Sequence, residues 1–118
     1  MELSFFILEA ELDDSLRESL LGHAELKKIK AKVVCSGEDF LHVLPEGHDG
    51  YILHLSQTNE RAIHNLREAQ PWGKIYGISG ASPMPEKLVQ LVDKTYYIIK
   101  PEYFDIILEE TSLKYKKS

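Results

Sequence analysis

Apolar and polar positions along this chain alternate between two kinds of block. Short apolar runs of a strand's length are each followed by a stretch in which apolar residues recur every three or four positions. Residues 3–10 (LSFFILEA) form the first run, long enough for one strand. Residues 13–23 (DDSLRESLLGH) carry Leu16, Leu20 and Leu21 at helical spacing; Ser15 and Glu18 make an S-x-x-E capping box, and Gly22 stands where a helix can stop. Residues 28–36 (KIKAKVVCS) predict a second strand, with lysines alternating with apolar residues before Val33, Val34 and Cys35. Ser36 is placed to cap a helix over 37–44 (GEDFLHVL), with Phe40, Leu41 and Leu44 on one side and Pro45 and Gly47 closing it. Residues 50–56 (GYILHLS) are apolar nearly throughout, as expected of a strand covered on both faces.

The second half repeats the scheme. Residues 59–70 place Ala62, Ile63, Leu66 and Ala69 on one helical stripe, and the Pro-Trp-Gly at 71–73 breaks it. Residues 74–79 (KIYGIS) are a fourth strand. Residues 84–93 predict a helix with Pro85 near its first turn and Leu88, Leu91 and Val92 inward. Residues 94–100 (KTYYIIK) are a fifth strand. Pro101 then opens a last helix over 101–110, with Phe104, Ile107 and Leu108 on one stripe. Five strand–helix units imply an α/β fold, a mostly parallel sheet with helices on both faces joined by right-handed crossovers. In such a doubly wound, three-layer sandwich the functional crevice lies at the carboxyl ends of the strands.

Composition narrows this only a little. A length of 118 residues suits one domain, with a core over about 2–110 and a basic tail at 111–118 read as a solvated end. No apolar run approaches the roughly 20 residues that span a bilayer, and the first residues read as a strand rather than a signal peptide. The net charge of −5 argues against nucleic acid as a direct partner, while leaving room for a local basic patch. The single cysteine, Cys35, excludes an internal disulfide, fits a cytoplasmic location and reads as a buried, inert thiol. Neither a nucleophile-elbow motif nor a glycine-rich phosphate loop is present, so no dinucleotide or flavin site and no enzymatic activity are expected.

The carboxyl ends of the five strands gather distinctive chemistry. Strand one ends at Glu9, Ala10 and Glu11, strand three at His54 and Ser56, strand four at Ser79 and strand five at Lys100. With the YYIIKP that closes strand five, the SGEDFL after strand two and the HDGYILHLS of strand three, this set resembles the receiver domains of bacterial response regulators, over nearly the whole chain. The resemblance implies a flavodoxin-like sheet of order 2-1-3-4-5. It also implies a site in which an aspartate ending strand three is phosphorylated, acids ending strand one hold magnesium, and a hydroxyl and a lysine contact the phosphoryl group. On that pattern Glu9 matches the first acid, while Ser79 and Lys100 match the hydroxyl and the lysine.

Two positions depart from it. Ala10 falls on the second acid, with Glu11 adjacent, and His54 falls on the phosphorylated aspartate. The residues usual after that aspartate are replaced by SQTNERA, and Asp49, before the strand, reads as a turn residue and no substitute. Magnesium takes hard oxygen ligands at about 2.1 Å, so losing two carboxylates predicts that magnesium binding is lost or weak and that no cofactor is held. Phosphoryl transfer relies on that charge neutralisation. The expected protein is therefore a degenerate receiver, a phosphorylation-independent protein-interaction module in bacterial signal transduction. Two other readings stand beside it: a phosphorelay domain with His54 as the acceptor, and a small-ligand or metal sensor using His54, Glu9, Glu11 and Lys100.

Other residues carry weaker signals. Ser79 and Tyr97 resemble the receiver's coupling pair, although Tyr97 also reads as a residue packed on the last helix. Lys100 reads as a partner for Glu9 or Glu11. His23, His42, His48 and His64, without metal-ligand spacing, read as solvated surface, and Trp72, Tyr96 and Tyr103 as aromatics near the surface. Receivers use the face made by the fourth helix, fifth strand and last helix for partners or a homodimer; here Lys87, Gln90, Lys94, Tyr96, Asp105 and Glu109 would populate it. Neither a membrane nor a nucleic acid is an expected partner.

Overall fold

The computed structural model describes residues 2–8, 14–36, 47–55, 58–71, 73–79, 86–96 and 101–116. Each apolar run becomes a strand: β1 (Glu2–Leu8), β2 (Lys30–Ser36), β3 (Gly50–His54), β4 (Lys74–Ile78) and β5 (Lys94–Tyr96). The stretches of helical period become α1 (Asp14–Leu26), α2 (Glu60–Ala69), α3 (Glu86–Leu91) and α4 (Pro101–Lys116). All four strand pairings are parallel, and the sheet order is β2-β1-β3-β4-β5. The helix expected over 37–44 lies outside the described residues, as do Trp72 and His42.

Strand alternation sorts the core into two layers. Phe5, Ile7, Ile52, Tyr76, Ile78 and Tyr96 face α1 and α4, where Leu20, Ala24, Phe104, Ile107 and Leu108 meet them. Phe6, Leu8, Tyr51, Leu53 and Ile75 point the other way, onto Ala62, Ile63, Leu66 and Leu88 of α2 and α3. Apolar burial on both faces explains why β3 shows no polar alternation in sequence. Gly50 starts β3 because nothing larger fits: a Cβ there would lie 2.6 Å from the Phe5 ring. Cys35 is half-buried and packs against the first layer.

Three local features depart from the sequence reading. Helix α1 runs through Gly22 to Leu26, and Ser15 lies inside it, because Leu20 and Ala24 continue the buried stripe past the glycine. The turn that stops it after Leu26 is made at Lys28, whose φ of 58 is left-handed, with Ile29 N–H donating to Ala24 O. Helix α4 runs on to Lys116 rather than ending at Glu110. Thr111 and Ser112 are buried at 1% and 3% exposure, so the core extends into what composition marks as a tail. The Tyr76 hydroxyl shares a hydrogen bond with Thr111 Oγ1 at 3.1 Å, which gives that buried phenol a partner.

At the amino ends of the strands, polar groups tie the layers together. Arg67 of α2 donates to Leu91 O and Gly73 O and pairs with Asp93 at 2.8 Å, while Asp93 Oδ2 accepts from Ile75 N–H. His48 is buried, not solvated. Its ring lies between Phe6 and Tyr51, its Nδ1 hydrogen-bonds Ser4 Oγ, and its N–H donates to the Tyr51 hydroxyl. Among the described residues no helix is long and apolar enough to cross a membrane.

Candidate functional site

The carboxyl rim is reached by following the register. Leu8 of β1 stands beside Leu53 of β3, and His54 of β3 stands beside Ile78 of β4. His54 is thus one residue beyond the last β1–β3 pair, at the mouth of the sheet. Ser79 follows Ile78 directly, and its N–H donates to Tyr96 O of β5 at 2.9 Å. The strands therefore bring His54 and Ser79 to neighbouring ends of β3 and β4. Glu9, Ala10, Glu11, Ser56, Tyr97 and Lys100 lie outside the described residues.

His54 is half-buried at that mouth, and burial pushes its imidazole below the ordinary value of 6.5. A ring poised this way is neutral near neutral pH, with a nitrogen lone pair and no negative charge. Such a group is a poor ligand for magnesium. Asp49 sits at the opposite end of the same strand. Its carboxylate accepts from Ser4 N–H at 2.8 Å, about 16 Å of strand away from His54. It cannot take the place of an acid at the rim.

The residues expected on the interaction face differ in exposure. Lys87 and Gln90 are exposed on α3, and Glu109 is exposed on α4. Lys94 is half-buried and pairs with Glu110 at 3.4 Å. Asp105 turns to α1 instead, where it meets His23 Nδ1 at 3.0 Å. Tyr96 is only 8% exposed, because its ring stacks beneath Tyr103 with centroids 4.7 Å apart. Burial pushes the Tyr96 phenol up, Lys94 pulls it down, and Glu110 and Tyr103 add to the rise. The sequence signal for a surface aromatic fails here because β5 presents alternate residues to opposite layers, and Tyr96 falls under α4.

The fold defined by this sheet order and these helices is a receiver-like, doubly wound α/β sandwich. Solved structures that share it include the BeF3-activated receiver domain of DrrB, with a TM-score of 0.62 and 13% identity over 94% of this chain and 97% of that one. NtrX from Brucella abortus in complex with ADP aligns with a TM-score of 0.68 at 11% identity, and its complex with ATP with a TM-score of 0.64 at 13%. Those alignments take in 98% of this chain, which spans only 27% and 28% of the NtrX chains. No family model matches the sequence, and no curated protein matches it closely enough to count as a relative.

Proposed function

We propose that this domain is a degenerate receiver of a bacterial signalling pathway, acting by binding protein partners without aspartyl phosphorylation. The observation that carries the reading is His54: a half-buried imidazole, its pKa lowered by burial, at the end of β3. On the receiver pattern that position holds the aspartate that takes the phosphoryl group. Ala10 in sequence takes a second acid from the same rim. The remaining donor set does not suit a hard cation, so magnesium has too few oxygens to neutralise phosphoryl charge. The domain then signals by what it docks, with its rim held in one state. Incubation with acetyl phosphate or beryllofluoride and magnesium tests this; no mass adduct and no magnesium-dependent amide shift at residues 53–55 and 78–79 are expected.

A second reading keeps the domain in a phosphorelay with His54 as the acceptor. Its support is the same neutral ring, which offers a nucleophilic nitrogen at neutral pH. An acid-labile phosphoryl mass that disappears in His54→Ala would establish it, and its absence with several histidine-kinase donors would remove it.

A further inference from the structure

The corner where α1 passes into β2 is basic in a chain that is acidic as a whole. Leu26, the last residue of α1, is 84% exposed, whereas Leu16, Leu20 and Leu21 of the same helix pack on the core. Lys27, Lys28, Lys30 and Lys32 follow, all exposed, and none makes an ion pair with a described residue. The chain as a whole has a net charge of −5. Lys28 also holds the left-handed φ of 58, a conformation that glycine or asparagine adopts at less cost. A lysine kept at such a position is a local conflict between backbone and side chain, and such conflicts gather where the side chain is used.

Among the described residues, strand β2 is the outer strand of the sheet and pairs with β1 alone. Its alternation sends Ala31, Val33 and Cys35 to the core beneath α1. Lys30, Lys32 and Val34 share the opposite, exposed face. An edge with this pattern resists pairing with a second copy of itself, since lysines would stand near lysines. The same lysines favour an incoming strand that carries carboxylates, so the edge discriminates between partners as well as binding them. Val34 at 38% exposure and Leu26 supply apolar contact at either end. Single-stranded nucleic acid is a poorer fit, because its binding sites combine basic grooves with aromatic stacking platforms and residues 26–32 contain no aromatic.

We infer that the outer edge of β2, unpaired among the described residues, docks with the basic corner at residues 26–32 an extended acidic segment of a partner protein by strand addition. Main-chain hydrogen bonds supply the ladder, carboxylates face Lys30 and Lys32, and an apolar side chain lies on Val34. The inference rests on the reading of the domain as a protein-interaction module only in naming a protein as the partner. It does not depend on the chemistry at His54.

The test uses the whole chain and a panel of fluorescein-labelled peptides alternating glutamate with valine, isoleucine or leucine. A lysine-for-glutamate panel, an oligothymidylate and phosphatidylserine-containing vesicles are run beside it. Saturable binding of acidic peptides is expected, weakening with salt, with amide shifts confined to residues 26–36. Lys30→Glu with Lys32→Glu should weaken it by about tenfold or more, as two attractive cross-strand pairs become repulsive. Circular dichroism confirms that the variant is folded, and Arg61→Glu, at an exposed position of α2, serves as a charge control that leaves binding unchanged. The inference is overturned if no acidic peptide binds, if the double variant binds as well as the parent, or if the oligothymidylate or the vesicles bind at least as tightly. Self-association of the parent through β2 would overturn it too. None of these readouts involves phosphate or magnesium, so failure here leaves the account of the rim standing, and the reverse also holds.

Discussion

At the residue scale, His54 couples the rim to pH. Burial lowers its pKa from 6.5, so the folded domain holds that proton less tightly than the unfolded chain does. As pH falls past the unfolded value, the unfolded chain takes up more protons and stability declines; above it, the full stability is present. Urea unfolding at about pH 7.5 and about pH 5.5 should show this loss, and His54→Asn should make it smaller. An imidazole titration by NMR with a midpoint at or above 6.5 would contradict the burial argument. Substitutions at the rim make a second prediction. His54→Asp alone should leave magnesium binding undetectable, because Ala10 still withholds a carboxylate, whereas His54→Asp with Ala10→Asp should regain weak binding. Tight magnesium binding by the single variant, followed through amide shifts at residues 78–79, would show that the missing second acid is immaterial. His48 illustrates how far single residues can be misread. Nothing in its sequence neighbourhood separates a buried histidine from a solvated one, and only the partners brought in by β1, β3 and the C-cap Gln70 decide the matter.

At the scale of elements, α4 carries a prediction of its own. Its last turns bury Thr111 and Ser112, and Thr111 satisfies the Tyr76 phenol, which burial pushes well above its usual range. Thr111→Val leaves that phenol with only Glu110 Oε2 at 3.4 Å and should cost about 1 kcal/mol in chemical unfolding. Ending the chain after Glu110 should cost more, since it also exposes the core beneath; an unchanged midpoint would mean that these turns are ornamental. Arg67 ties α2 to the α3–β5 turn through Leu91 O and Asp93 and to the α2–β4 turn through Gly73 O, so Arg67→Ala should lower stability by about 2 kcal/mol. Lys28→Gly should instead raise it, by up to about 1 kcal/mol, as the left-handed turn is relieved. The strands and the stripes of α1, α2 and α4 were legible because periodicity reports burial directly. The ends of α1 and α4 were not. Gly22 looked like a stop signal but lies on an exposed face, and Thr111 and Ser112 looked like a polar tail but are buried by packing that no local pattern encodes.

For the whole molecule, the order β2-β1-β3-β4-β5 follows from alternating units and right-handed crossovers, and it places His54 and Ser79 on neighbouring strand ends. The resemblance carried by residues at four strand ends pointed to the rim, since strand ends are where such sheets keep their chemistry. It did not reveal which of the expected face residues are buried. Side-chain direction in β5 puts Tyr96 under Tyr103, and Asp105 pairs with His23 of α1. The central claim is that the rim no longer performs aspartyl phosphorylation. The most direct measurement is a two-dimensional amide spectrum with intact mass, recorded before and after addition of beryllofluoride or acetyl phosphate with magnesium. The account predicts no adduct and unmoved resonances at residues 53–55 and 78–79; a stoichiometric adduct with magnesium-dependent shifts there would contradict it.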